Sequence, residues 1–393
     1  MPNMKSLDDL DVGGRRVFVR VDFNVPLKDG KVTSDARIQA ALPTLEHLRQ
    51  HGARLVLASH LGRPKGKRTP EFSLEPVAAR LAEILDGEVR LADDCIGDGA
   101  RKVAQDLRDG DVAVLENLRF HKAEEANDPA FAAELRKLCD VYVDDAFGCA
   151  HRAHASVDAL PRLCSERGAG RLMFREVEAL SKLLGRVDRP FVAVLGGAKV
   201  SDKVNVLNNL LARVDVFVIG GAMANTFLAA RGLELGKSLV ETDKLGVARD
   251  FLRAAQDKGA EVLLPTDLVV AASPDDPTGT VVPADAVGPD RAAFDVGPAS
   301  IAAFKERIAV AGTVFWNGPL GLFEKAPFAQ GTMAMAKAIA SCSGFTVAGG
   351  GDSVAAIGQA GLEKMFGHVS TGGGASLELL EGRKLPGIAV LEE

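Results

Sequence analysis

Short, β-branched apolar runs recur along the whole chain. In the first half they read RVFVRVDF (16–23), RLVLAS (54–59), VAVLEN (112–117) and VYVDDA (141–146). The second half has FVAVLGG (191–197), VDVFVIGG (214–221), EVLLPTD (261–267), TVFWNG (313–318), FTVAGGG (345–351) and HVSTGGG (368–374). These runs are near-continuously apolar where a half-buried strand would alternate, which is the pattern of parallel strands covered on both faces. A helix-like stretch follows each one. Strand–helix alternation of this kind predicts an α/β protein of two doubly wound parallel-sheet domains, Rossmann-like in outline.

Between the halves lies GAGRLMFREVEALSKLLGRVDRP (168–190), in which Met173, Val177, Leu180 and Leu184 form one apolar helical stripe. Gly168 and Gly170 precede the stripe, and Gly185 and Pro190 close it. The spacing predicts a connecting helix over 171–189 with flexible glycine ends, a hinge between a first domain (1–170) and a second (190–379). An ordinary surface helix within one domain is the competing reading.

Composition narrows the class. A chain of 393 residues exceeds one ordinary core, and 47% apolar with 25% charged residues is globular composition. A net charge of −6 argues against nucleic-acid and anionic-membrane partners, and one Trp and one Tyr leave little for base stacking. Five scattered cysteines without C-x-x-C spacing read as reduced thiols in a cytoplasmic protein. MPNMKSLDDLDVGG lacks the apolar core of a signal peptide, and no stretch is long and apolar enough to span a bilayer.

Ligands of open parallel sheets gather at the carboxyl ends of the strands, and there the halves differ. The first half ends its strands in charge: Asp22 and Asn24, then Arg37; His60, Arg63, Lys65 and Lys67; Arg119, His121 and Lys122; His151, Arg152 and His154. Each cation alone is more often a solvated surface group, but recurrence after four successive strands suits a small, highly charged anion, because guanidinium forks match phosphate oxygens. His151 and His154, three apart, share a face if helical, yet lack a third metal ligand.

The second half ends its strands in glycine: GGAKVSDK (196–203), GGAMANTF (220–227), WNGPLGLFE (316–324), GGGDSVAA (349–356) and TGGGASLELL (371–380). Glycine lets backbone approach phosphate, and a helix start points free N–H groups at it. Ser353 and Ser376 are candidate helix caps. Asp352 is placed to meet the magnesium that accompanies a nucleotide. Lys199 and Lys203 share a face if a helix has begun, and Glu324 is a candidate acceptor for ribose hydroxyls. Neither G-x-x-x-x-G-K-[ST] nor G-x-G-x-x-G occurs. RGLELGKSLVE (231–241) comes near the first but has Arg231 where the glycine belongs, and reads as a connecting loop.

Taken in order, VDFNVP, SHLGRP, DDAFGCAHRAHAS, GGAKVSDK, GGAMANTFL, WNGPLGLFE, GGGDSVAA and TGGGAS resemble the phosphoglycerate kinase family along almost the entire chain. The resemblance implies a monomeric, two-lobed glycolytic enzyme. It would move a phosphoryl group reversibly between 1,3-bisphosphoglycerate and ADP, giving 3-phosphoglycerate and MgATP. Carried over by motif, Asp22, Phe23, Asn24, Arg37, His60, Leu61, Gly62, Arg63, Arg119, His151 and Arg152 would hold 3-phosphoglycerate. Lys199, Lys203, Gly221, Asn317, Glu324, Gly350, Gly351, Asp352 and Ser353 would hold the nucleotide, with Mg2+ at Asp352. Arg37, Lys199, Gly351 and Gly374 would serve the transferred group, and the tail (380–393) would return to the first domain. Two departures stand out: Cys149 replaces the family's usual threonine, and AAFDVGP (292–298) replaces GLDIGP, putting Ala293 near the expected adenine pocket. Two α/β domains with glycine turns also describe dehydrogenases and hinged metabolite-binding proteins. The first lacks its dinucleotide fingerprint, and the second has no need of two chemically different half-sites.

Overall fold

The computed structural model describes residues 3–393. The chain divides into two compact units, Met1–Glu178 with Lys384–Glu393, and Ala179–Arg383.

In the first unit the strands are β1 (Arg16–Arg20), β2 (Leu27–Lys28), β3 (Lys31–Val32), β4 (Arg54–Ala58), β5 (Val89–Leu91), β6 (Val112–Val114), β7 (Val141–Asp144) and β8 (Arg167–Ala169). Six form one sheet in the order β5-β6-β4-β1-β7-β8, every pair parallel, while β2 and β3 make a small antiparallel ribbon. The central residues Val17, Val19, Leu55, Leu57, Val112, Val114, Val141 and Val143 are buried in one core with Leu45 and Leu48 from the helix Ala36–Gln50. Phe18, Val56, Ala113 and Tyr142 on the opposite face are buried too, and burial on both faces explains the unbroken apolar runs.

The second unit repeats the plan with β9 (Phe191–Leu195), β10 (Val216–Ile219), β11 (Glu261–Leu263), β12 (Asp267–Ala271), β13 (Thr280–Pro283), β14 (Ala292–Val296), β15 (Thr313–Asn317), β16 (Phe345–Gly349) and β17 (His368–Val369). Its parallel sheet has the order β11-β10-β9-β15-β16-β17, and β13-β12-β14 form a separate antiparallel sheet. The mixed α/β class and two parallel sheets agree with the sequence reading. The antiparallel sheet and the short strands β5 and β8 do not follow from it.

The connecting helix runs Arg171–Leu184, shorter than the 171–189 expected. Its glycine entry is not a flexible end. Gly168 lies within β8, and a Cβ on Gly170 would come within 2.1 Å of Asp145 Oδ1. Gly170 lets the chain pass close enough for Asp145 Oδ1 to accept from Leu172 N (2.9 Å) and Met173 N (3.2 Å), which caps the helix from another strand. At the far end Leu184 O accepts from Arg213 Nε at 2.7 Å.

Candidate functional site

Each unit gathers its singled-out residues at the carboxyl rim of its own parallel sheet. In the first unit the charged segments follow β6, β4, β1 and β7, four strands that are immediate neighbours. Recurrence in sequence thus becomes an arc in space.

Asn24 Oδ1 accepts from Gly62 N at 2.9 Å, joining the turns after β1 and β4. Gly62 has φ +59, and a Cβ there would meet the Phe72 ring at 2.4 Å. Phe23 and Leu61 are buried; Phe23 N donates to Ser59 Oγ (2.8 Å), and Leu61 O accepts from Asn117 Nδ2 (2.8 Å). These residues hold the turns in shape. Arg119 is buried and donates from Nη1 to Gly62 O at 3.0 Å, yet its Nε has no hydrogen-bond partner and lies 3.5 Å from Glu125 Oε1. Arg37 Nη1 donates to Asp22 Oδ2 at 2.5 Å. Arg152 Nε donates to His151 Nε2 at 3.1 Å. Arg63, Lys65 and Lys67 are exposed, and no ion pair joins them to the arc among the described residues.

Sequence reasoning missed Arg20. It is fully buried on β1, donating to Ser156 Oγ at 2.8 Å and Val21 O at 2.5 Å, with Nη2 3.4 Å from His60 Nδ1. The signal was an arginine inside the otherwise apolar run RVFVRVDF. Glu124 closes this network through Ser156, accepting from its N and Oγ at 2.9 and 2.6 Å.

The electrostatics of the arc are those of an anion receptor. His60 is held well below the ordinary histidine pKa, first by burial and then by Arg20, Arg119 and Arg37. His154 falls to about 3 through burial and the same kind of cationic surroundings, Arg119, Arg20 and Arg152. Both rings are therefore neutral at physiological pH. Burial also lowers Arg119, and pushes the Cys149 thiol up to about 12. His151 and His154 do not share a helix face: the first sits in a turn and the second precedes the π-helical turn Ala155–Ala159.

In the second unit the glycine turns follow β10, β9, β15, β16 and β17, again consecutive in the sheet. The turns after β10, β9, β15 and β16 border a cleft of about 600 Å³ lined by Gly197, Gly221, Glu324 and Asp352, while the turn after β17 contributes none of its lining. Leu268, Ala292, Ala293 and Phe294 of the antiparallel sheet supply an apolar wall, which puts Ala293 in the cleft. Lys237 and Leu239 line it too, so the loop holding LGKS is a connection that contributes to the wall. Its Ser238 Oγ accepts from Ala293 N at 2.9 Å, as no phosphate-loop serine would.

Geometry requires glycine at Gly221 and Gly350, among other positions of these turns. A Cβ on Gly221 (φ +67) would stand 2.7 Å from Gly197 N and O; one on Gly350 (φ +93) would stand 2.8 Å from Asn317 Nδ2. Asn317, fully buried, donates to Gly349 O at 2.7 Å and accepts from Lys203 Nζ. Lys203 is depressed to about 8 by burial, partly offset by Asp202 and Asp352. Lys199 is exposed; the helix begins only at Val204, so the two lysines do not share a helix face. Gly351 opens the helix Gly351–Ala360, and Gly374 opens Gly374–Leu380. Neither serine caps them: Ser353 Oγ accepts from Gly318 N at 2.6 Å, and Ser376 Oγ lies 2.6 Å from Ser370 Oγ. Asp352 is exposed at the cleft, an oxygen donor of the kind Mg2+ prefers.

The family described as phosphoglycerate kinase matches residues 7–383. Among curated relatives, the phosphoglycerate kinase of Anaeromyxobacter sp. (strain Fw109-5) is 56% identical over 393 residues, covering 99% of both chains. That of Moorella thermoacetica is 52% identical over 389 residues, again covering 99% of each. Among solved structures, phosphoglycerate kinase from Coxiella burnetii superposes with a TM-score of 0.91 at 42% identity, over 99% of this chain and 98% of that one. The Pyrococcus horikoshii OT3 enzyme gives 0.84 at 35% identity, with the same coverage.

Proposed function

Because the chain belongs to the phosphoglycerate kinase family, we propose that its two rims are the half-sites of that family's reaction. The enzyme is a phosphotransferase with a carboxyl group as acceptor, moving phosphoryl reversibly between 1,3-bisphosphoglycerate and ADP to give 3-phosphoglycerate and ATP.

The arginine arc of the first unit takes the acidic three-carbon substrate. Its carrying observation is the crowding of Arg20, Arg37, Arg119 and Arg152 around two histidines, a positive potential that adds to burial in keeping both rings neutral. A dianionic phosphate supplies the missing negative charge, and the Arg119 guanidinium, whose Nε lacks a hydrogen-bond partner, supplies a donor. Asp22 and Asn24 orient the substrate hydroxyl. Arg63 completes the grip by moving in from solvent, and His151 supports Arg152.

The glycine cleft of the second unit takes the nucleotide. Its apolar wall suits a purine, Glu324 the ribose, and the helix starts at Gly351 and Gly374 with Lys203 and Lys199 the phosphates. Mg2+ at Asp352 would neutralise phosphate charge. Asn317 holds Lys203 in place, and Gly221 and Gly350 let the ligand-facing turns pack against Gly197 and Asn317.

The nucleophile is a carboxylate, ionised at neutral pH with an ordinary acid pKa near ~4, so no general base is required. The difficulty is bringing anion against anion. Arg37 carries the cation that spreads charge on the group in transit, and the remaining residues position and exclude water. The helix Arg171–Leu184 with Gly185 to Pro190 serves as the hinge that brings the half-sites together. The acidic chain and its free thiols support a cytoplasmic protein acting on small molecules, a monomer being what the family resemblance implies, and no helix among the described residues is long and apolar enough to cross a membrane.

The test is a coupled assay with 3-phosphoglycerate and MgATP in which each component is omitted in turn. Turnover should need all three, including the metal. Undiminished turnover without 3-phosphoglycerate would defeat the reading.

A further inference from the structure

One group of donor atoms in the first unit lies outside the residues assigned above to the two substrates. Asp94 and Cys95 follow β5, and His121 lies beyond the turn after β6, the strand beside it. Neighbouring strand ends therefore bring together three different donors. One ligand atom from each, a carboxylate oxygen, Sγ and a ring nitrogen, lies within 4.8 Å of the other two. His121 Nε2 is 2.7 Å from Asp94 Oδ1, and Cys95 N donates to the same oxygen at 2.6 Å, which fixes the carboxylate. Cys95 is fully buried, whereas the Asp94 and His121 side chains are 39% and 29% exposed. The sulfur thus forms the floor and the other two donors form the mouth.

The surroundings suit a cation. The Asp94 carboxylate stands among the three donors, and its negative charge attracts a cation. A second three-donor group, Asp22, His60 and Cys149, is as compact. There, however, Arg20, Arg119 and Arg37 act on the histidine, and an added cation would be repelled.

We propose that Asp94, Cys95 and His121 form a binding site for one borderline-soft divalent cation, Zn2+ or Co2+, with water as fourth ligand. Sulfur, imidazole and carboxylate together select such ions over Mg2+, which takes oxygen donors. On binding, the Cys95 S–H gives its proton to solvent and Sγ bonds the metal. The His121 proton at Nε2 passes to Nδ1, or to solvent if the ring began protonated. Tetrahedral ligands at bond lengths of about 2.1 Å stand about 3.4 Å apart, so Nε2 and Oδ1 part by roughly 0.7 Å. The metal would tie the segment after β5 to the turn that carries Arg119, two residues before His121.

The experiment titrates Co2+ into the full-length, chelator-treated protein. Expected are a thiolate-to-cobalt charge-transfer band saturating at about one ion per chain, release of about one proton per ion above the histidine range, and persistence of the band in excess Mg2+. Cys95→Ser should abolish the band and Cys149→Ser should leave it. His121→Gln should weaken affinity by more than the roughly 10–100-fold cost of losing an outer-sphere partner. A wild-type protein without the band overturns the proposal, as does a band that survives Cys95→Ser or vanishes with Cys149→Ser. Should Cys95→Ser not fold, His121→Gln and Asp94→Ala decide by competition with a zinc-sensitive dye; unchanged affinity in both overturns it.

Discussion

Arg37 and Asp22 form an ion pair across the first unit's rim, with Nη1 2.5 Å from Oδ2. Arg37 stands in the first turn of the helix Ala36–Gln50, and Asp22 follows β1, so the contact locks a helix start to a strand end. The arginine side chain is 41% exposed and the aspartate 14%. The carboxylate therefore aims the guanidinium while leaving much of its donor fork open to an arriving phosphoryl group.

Arg37→Ala should lower turnover by about a thousandfold or more, the scale of a transition-state arginine. Nucleotide affinity, which the proposed division of half-sites assigns to the other unit, should be nearly unchanged. Steady-state kinetics with an ADP titration checks both; near-normal turnover would remove Arg37 from that role.

Gly350→Ala should destabilise the protein by about 1–3 kcal/mol, since it adds positive-φ strain to a clash with Asn317. It should also weaken nucleotide binding, because Asn317 holds Lys203. Gly361→Ala is the control: its φ is +64 but nothing lies within 4 Å of an added Cβ, so stability alone should fall, by about 1 kcal/mol. Denaturant unfolding and ADP titration of both variants distinguish the two effects.

Lys203 lies near 8, below its ordinary 10.5, because burial disfavours its charge. An anionic phosphate beside it raises that value again, so nucleotide binding near pH 8 should take up protons. Calorimetric titrations in buffers of differing ionisation enthalpy should show the uptake, and Lys203→Met should abolish it. Equal buffer dependence in the two proteins would contradict the placement of Lys203 at the phosphates.

Asp145 is pushed up to about 8 from 3.8, chiefly by burial, and its Oδ2 has no partner. Between these values the folded chain holds a proton that the unfolded chain has lost. Stability from this group is therefore full below about 4 and drains away as pH rises through 8. Asp145→Asn keeps the Oδ1 acceptor for Leu172 and Met173 and does not titrate. From pH 5 to 9 the wild type should lose, relative to the variant, on the order of a few kcal/mol. Parallel stability profiles would contradict the assignment.

The parallel strands were legible because burial on both faces writes itself as unbroken apolar runs, and their order in each sheet turned recurring charges or glycines into a single rim. The antiparallel sheet was not legible. β13, reading TVVP, is largely exposed, and β14, reading AAFDV, carries small residues and an acid, so neither shows a strand period. The serines at 353 and 376 read as caps because hydroxyls near helix starts usually are; here Ser353 bonds to the turn after β15 and Ser376 to Ser370 at the start of its own turn. Gly170 read as a flexible joint, whereas its missing side chain makes room for Asp145. Sequence names a glycine without saying whether freedom or closeness selected it. Arg20 was hidden by its apolar neighbours, and only the fold reveals that it faces His60.

The central claim is that two chemically different ligands occupy different units. Amide hydrogen exchange followed by mass spectrometry, with each ligand added alone, tests it most directly. Protection by 3-phosphoglycerate is expected in the turns holding Asp22, His60, Arg119 and Arg152, and protection by MgADP in those holding Gly197, Gly221, Asn317 and Gly350. Protection of the same unit by both ligands would contradict the account.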